Sequence, residues 1–168
     1  MSFVYLDTHI LVWGIKKEST VGQEQMIPRA QHFLSWLEQN SIEVAIPSVV
    51  LGELLLRVPI HRHAEVYADV AERSFIVHPY DALAAVKAAQ VWISARDSGL
   101  IEDMLLDSGV SRGSIRADCQ IVGIALSRHG IGIYSHDAGL KRLAEGHILV
   151  LEMPELPAKQ ASLFSPEG

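Results

Sequence analysis

Apolar residues gather along this chain in short unbroken runs, separated by longer stretches with helical spacing. Phe3-Val4-Tyr5-Leu6 is the first run, and Asp7 ends it. Such a run predicts a strand covered on both faces. Thr8 is placed to cap a short helix over 9–13, and Gly14 to stop it. Residues 15–27 are polar and aperiodic, which predicts a loop. Pro28 suits the first turn of a helix reaching about Asn40, with Ala30, Phe33, Leu34 and Leu37 on one face. Val44-Ala45-Ile46 is a second strand. Pro47-Ser48 ends it and caps a helix over 49–57, which Pro59 closes. Residues 61–73 are helical again, and Phe75-Ile76-Val77 is a third strand.

Asp81 caps an alanine-rich helix over 82–96, closed by Gly99. A turn of helix is expected around 102–106. Ser114 is placed to cap a helix to about His129, with Gly130 after it. Residues 131–134 and 148–151 read as two more strands, with a short helix over 137–145 between them. Strands that alternate with helices, and that are continuously apolar, predict a three-layer α/β/α sandwich around a mostly parallel, about five-stranded sheet. One domain, residues 1–152, is expected, followed by a proline-containing tail, 153–168, expected to fray.

Composition narrows the choices. The 168 residues are 49% hydrophobic and 20% charged, a globular balance. Lys plus Arg is 14 against 20 Asp plus Glu, giving a net charge of −6. Bulk positive charge therefore cannot hold a nucleic acid, although a local patch can. A single cysteine, Cys119, excludes an internal disulfide framework and a cysteine-based zinc site. No run approaches the ~18 apolar residues of a membrane span. Met1-Ser2-Phe3-Val4 has no basic region before its apolar run, so no signal peptide and a cytoplasmic location are expected.

In a parallel sheet the ligand crevice lies beyond the carboxyl ends of the strands. Asp7 directly follows the first strand. Glu53 lies in the helix after the second, among Val50, Leu51, Leu54 and Leu55. Asp118 lies near the start of the helix capped by Ser114. Asp137 comes three residues after Tyr134 in the fourth strand. Four carboxylates from four elements are thus expected at one edge of the sheet. Two unit charges ~4 Å apart repel by about 4 kcal/mol at an effective dielectric of 20. Such a cluster calls for raised pKa values or for a cation. Carboxylate oxygens suit Mg²⁺ or Mn²⁺, and such ions can drive phosphodiester hydrolysis. Each acid also has a plainer reading. Asp7 and Asp137 can be helix caps, Glu53 can pair with Arg57 at i+4, and Asp118 can complement a helix dipole.

Taken in order, Val4-Tyr5-Leu6-Asp7-Thr8, Ile46-Pro47-Ser48-Val49-Val50-Leu51-Gly52-Glu53-Leu54, Arg116-Ala117-Asp118-Cys119-Gln120-Ile121-Val122-Gly123-Ile124-Ala125 and Ile133-Tyr134-Ser135-His136-Asp137-Ala138-Gly139-Leu140 resemble a PIN-domain ribonuclease. The likeness is strongest to the VapC toxins of toxin–antitoxin pairs and spans roughly residues 3–152. It implies a Mg²⁺- or Mn²⁺-dependent endoribonuclease. Asp7 and Asp118 would be central metal ligands. Glu53 would be a further ligand or orient the attacking water, and Asp137 would complete the site. Thr8 and Ser135 match positions that hydrogen-bond the acids. The resemblance also implies an RNA substrate, an antitoxin covering the site and a homodimer. The pattern departs from the family at Leu140, where an aromatic residue is common, and in the longer segments 15–27 and 97–113.

Other residues are weaker pointers. Arg112 and Arg116, ahead of Asp118, are candidates for an RNA rim. His9 and His136 flank two of the acids and are candidates for touching phosphate. His61-Arg62-His63 does not suit a metal, because positions i and i+2 of a helix do not face each other. Cys119 is expected to be buried and inert. Trp13, Trp36 and Trp92 read as core or subunit contacts. A PIN-fold module that binds RNA or an antitoxin-like partner without catalysis is the alternative function. A haloacid-dehalogenase-like phosphotransferase would want an acid where His9 stands. A phospho-receiver would want acids where Tyr5 and Leu6 stand.

Overall fold

The computed structural model describes residues 2–107 and 109–157. Its strands are β1 (Val4–Leu6), β2 (Val44–Pro47), β3 (Ile76–His78), β4 (Gly132–Tyr134) and β5 (Val150–Leu151). They form one sheet in the order β3-β2-β1-β4-β5, and every pairing is parallel. β1 and β2 are buried at every residue. That explains their unbroken apolar runs, since helices cover both faces. The edge strands read differently, with Ile76 and Leu151 exposed.

Eight α-helices appear among the described residues: α1 (Thr8–Leu11), α2 (Met26–Gln39), α3 (Ser48–Leu56), α4 (His63–Glu72), α5 (Ala82–Asp97), α6 (Leu100–Leu106), α7 (Arg112–Ser127) and α8 (Ala138–Ala144). The α/β/α architecture expected from the alternation is therefore present. α7 packs across β2 and β4 and carries α5 on its flank. On α2, Phe33 meets the Tyr134 ring of β4 at 4.6 Å between centroids.

Helix ends depart from the sequence reading in three places. Gly14 does not stop the first helix, which continues from α1 as a π-helical stretch, Val12–Lys16. A Cβ at Gly14 would stand 2.5 Å from Leu34 Cδ1, so the glycine lets α2 approach closely. Asp7, not Thr8, caps α1, its side chain accepting from the Thr8 N–H. Ser111, not Ser114, caps α7, accepting from the Ser114 N–H at 3.1 Å. Asp118 consequently sits in the second turn of α7 rather than the first.

Close packing also explains the alanines. Ala84, Ala88, Val91 and Ala95 form the buried face of α5. A Cβ on Gly123 of α7 would lie 2.6 Å from the Ala84 carbonyl oxygen and 2.7 Å from the Ala88 nitrogen. Small residues on both helices thus let the two backbones nearly touch. The expected tail begins with an anchored segment. Met153 is buried, and Arg29 donates to the Met153 and Pro154 carbonyls and pairs with Glu155 at 3.1 Å. Residues 158–168 lie outside the described residues. No described helix is long and apolar enough to cross a membrane.

Candidate metal and phosphodiester site

The all-parallel sheet directs β1, β2 and β4 toward one rim, and the chain turns into α1, α3 and α8 there. Asp7 leaves β1 with its N–H donating to the Tyr134 carbonyl at 3.1 Å. Its two carboxylate oxygens are held separately. Oδ1 accepts from the Thr8 N–H at 2.6 Å, and Oδ2 accepts from the Ser135 hydroxyl at 2.6 Å. The Ser135 oxygen in turn accepts from the Asp137 N–H at 3.0 Å. Asp137 caps α8 through the Leu140 N–H at 2.9 Å. Glu53 projects from α3, and its Oε2 accepts from the Thr8 hydroxyl. Thr8 and Ser135 therefore hold the acids, as the resemblance implied.

Asp7, Glu53, Asp118 and Asp137 all line one cleft of about 310 Å³, together with Thr8, His9, Leu56, Arg57 and Ser114. The four acids are thus brought together. The alternative pairing of Glu53 with Arg57 is absent among the described ion pairs. The cap readings of Asp7 and Asp137 hold too, so those side chains serve the helix start and the cleft at once.

Electrostatics bear the mark of this crowding. Burial, followed by the charges of Asp137, Asp7 and Glu53, pushes the Asp118 carboxyl up from its ordinary 3.8 to about 8. Asp7, only 5% exposed, is also pushed above the ordinary carboxylate range, chiefly by burial. The Ser135 and Thr8 hydrogen bonds pull it back in part. A cleft with four carboxylates, two of them resisting ionisation, is one whose repulsion a hard divalent cation would relieve. Asp7, Asp118, Glu53 and Asp137 are the carboxylates the cleft would offer to one. Among the described residues no group of three or more His, Cys, Asp or Glu side chains is arranged to hold a metal ion.

Gly139 abuts two of the acids. A Cβ there would come within 3.0 Å of Asp137 Oδ1 and 3.9 Å of Asp118 Oδ2. The sequence reading gave no role to Gly139, gave Ser114 one only as a cap, and gave Arg57 one only as a partner of Glu53. For Arg57 a signal was present, a cation one helical turn beyond the acid. Several expected contacts lie elsewhere. Neither Arg112 nor Arg116 lines the cleft, and Arg116 instead sits over the Trp92 ring at 5.6 Å. His136 turns away, with its Nε2 accepting from the Met153 N–H at 3.1 Å and its ring against Trp13. Cys119 is buried, and burial plus the Asp118 charge push its thiol up to about 12. A larger cleft of about 910 Å³ lies by Val44 and Phe75, at the opposite end of the sheet. Much of its charge is internally paired, through Arg73–Glu38 at 2.8 Å and Arg62–Glu65 at 3.0 Å.

A chain of VapBC2 from Rickettsia felis, in a crystal structure bound to a DNA fragment from their promoter, is similar over 90% of this chain and 99% of that one. Its TM-score is 0.65 at 17% identity. The chain is PIN-like in fold. A chain of DNA-bound VapBC from Salmonella typhimurium gives a TM-score of 0.60 at 21% identity, covering 92% of this chain and all of that one. A chain of VapBC-5 from Mycobacterium tuberculosis, a member of the VapBC family of toxin–antitoxin systems, gives 0.50 at 19%, covering 91% and 98%. No protein-family model matches the sequence, and no curated protein does either. The PIN-like likeness is thus one of architecture, carried at low identity along almost the whole chain.

Proposed function

We propose that this protein is a divalent-metal-dependent endoribonuclease, a VapC-like toxin held in check by an antitoxin. The observation that carries this reading is the convergence of Asp7, Glu53, Asp118 and Asp137 on one cleft, with Asp118 pushed up to about 8. Similarity in fold to VapBC chains supports it. A bound Mg²⁺ or Mn²⁺ would supply activated water and stabilisation of the leaving oxygen. Asp7, gripped on both oxygens, and Asp118, on the α5-buttressed α7, would be the rigid ligands. Glu53 has its Oε2 held by Thr8 and its Oε1 free to orient a water or accept its proton. Asp137 lends charge while its Oδ1 stays tied to α8. An antitoxin with a cationic segment is the partner that suits an acidic cleft, and a homodimer is the expected assembly. Residues 1–152 are the catalytic unit.

The test is cleavage of a broad RNA panel with Mn²⁺, with Mg²⁺ and with chelator, by wild type and Asp7→Asn. Asparagine keeps the helix cap and removes the charge. Cutting by the wild type that needs metal and falls at least about 100-fold in the variant is expected. An intact panel, or equal cutting by the variant, refutes it. A second reading, a PIN-fold module that binds without cutting, draws on the absence among the described residues of any group of three His, Cys, Asp or Glu side chains arranged to hold a metal ion. A melting temperature indifferent to Mn²⁺ in the wild type would favour it.

A further inference from the structure

The acidic cleft does not end at His9 and Arg57. Both residues also line a second cleft of about 430 Å³, which runs on toward the loop over 17–25. Its charge is of the other kind. The acidic cleft holds four carboxylates against Arg57, whereas the second holds Lys16 and Arg57 against the single acid Glu18. Lys16 and Glu18 neutralise each other at 2.6 Å. Arg57 makes no ion pair among the described residues, because Glu53, its neighbour one turn back, accepts from Thr8 instead. A planar cation with unengaged donors thus stands on the ridge between the two clefts, where a phosphate oxygen would be gripped.

The second cleft has the components that unpaired bases need, a ring to stack on and donors at fixed positions. The His9 ring leans on the buried Trp13 ring at 5.7 Å and is braced from behind. The far wall is a tight turn in which Gly22 adopts φ +88. There the Gln23 N–H donates to the Thr20 carbonyl at 3.0 Å, and the Thr20 hydroxyl donates to Gln23 Oε1 at 3.0 Å. This orients the Gln23 amide and leaves its NH₂ free to donate.

We propose that the second cleft takes the unpaired base next to the scissile phosphate of a single-stranded RNA, with Arg57 gripping the intervening phosphate, His9 stacking and Gln23 reading the base edge. This rests on the ribonuclease reading above and adds a specificity pocket to it. Duplex RNA cannot enter in this way, because its bases are not splayed.

The experiment uses a randomised single-stranded RNA pool cut in Mn²⁺, with the cut ends sequenced, for wild type, Gln23→Ala, Thr20→Val and Arg57→Ala. The wild type is expected to prefer one base beside the cut by about tenfold or more. Gln23→Ala and Thr20→Val are expected to flatten that preference to about twofold. Arg57→Ala is expected to raise KM about tenfold, with recovery in Arg57→Lys. A wild type that cuts beside all four bases equally overturns the pocket, as do variants with unchanged preference. If the wild type cuts nothing, the ribonuclease reading fails, and a second measurement still judges the pocket. RNA carrying 4-thiouridine is irradiated on wild-type protein without metal, and the attachment sites are mapped. Crosslinks within residues 9–23 support the pocket, and crosslinks confined elsewhere overturn it.

Discussion

Replacing Asp118 by asparagine should make the metal-free protein more stable. The carboxyl moves from 3.8 to about 8 on folding. Between those two values the unfolded chain has released a proton that the folded chain retains, so folding weakens as pH rises. At about 1.36 kcal/mol per unit, the burden reaches about 4 kcal/mol at pH 7. That is an upper bound, since water reaches the half-buried side chain. A realised ~2 kcal/mol corresponds to a melting temperature about 4–8 °C higher for a chain of this size. The assay is thermal unfolding in chelator from pH 5 to pH 9, for wild type and Asp118→Asn. The wild type should lose stability toward pH 8, and the variant should lose less, because the Asp118 carboxyl no longer titrates while Asp7 still does. Adding Mn²⁺ should restore the wild type at high pH and do little for the variant, because only the charged site binds the ion. If the variant melts lower than wild type at pH 8 in chelator, or if the wild type gains stability from pH 5 to 8, the crowding of charge in this cleft has been misjudged.

Removing the Ser135 hydroxyl should act on Asp7 at a distance. Ser135→Ala frees Oδ2 and should weaken Mn²⁺ binding about 10–100-fold, read by titration calorimetry, with the fold intact by circular dichroism. Gly123→Ala should lower stability by about 1–3 kcal/mol, read by urea unfolding, because the new methyl presses on the α5 backbone. Gly139→Ala crowds Asp137 and should reduce metal-dependent stabilisation more than metal-free stability, read by the Mn²⁺ dependence of the melting temperature.

The sheet was legible because burial on both faces leaves an unambiguous trace, an apolar run broken at Asp7, at Pro47 and after Tyr134. Asp7 and Asp137 were legible for the same reason, since a carboxylate at or just after such a break faces the strand-end crevice, whereas Glu53 and Asp118, inside α3 and α7, were legible from the spacing that resembles the PIN pattern. What stayed hidden was set by contacts between distant segments. Gly14 looks like a stop until Leu34 arrives beside it. Ser114 looks like the cap until the folded turn gives that role to Ser111. Arg116 looks free to meet RNA until Trp92 supplies a ring beneath it. His136 lies one position from an acid, yet the backbone of Met153 claims its nitrogen. Arg57 is spaced to pair with Glu53, but the Thr8 hydroxyl, 45 positions before Glu53, takes that place.

Because all five strands run in one direction, α1, α3 and α8 begin on a common side of the molecule. The opening turns of a helix present N–H groups without internal partners, equivalent to a partial positive charge of roughly half a unit. Two such origins, those of α1 and α8, are capped by Asp7 and Asp137 themselves before any ion or ligand arrives. Topology thus supplies a standing counterfield, drawn from peptide dipoles instead of side chains. Neutralising surface lysines or arginines would leave that background in place, and only unwinding a helix start would remove it.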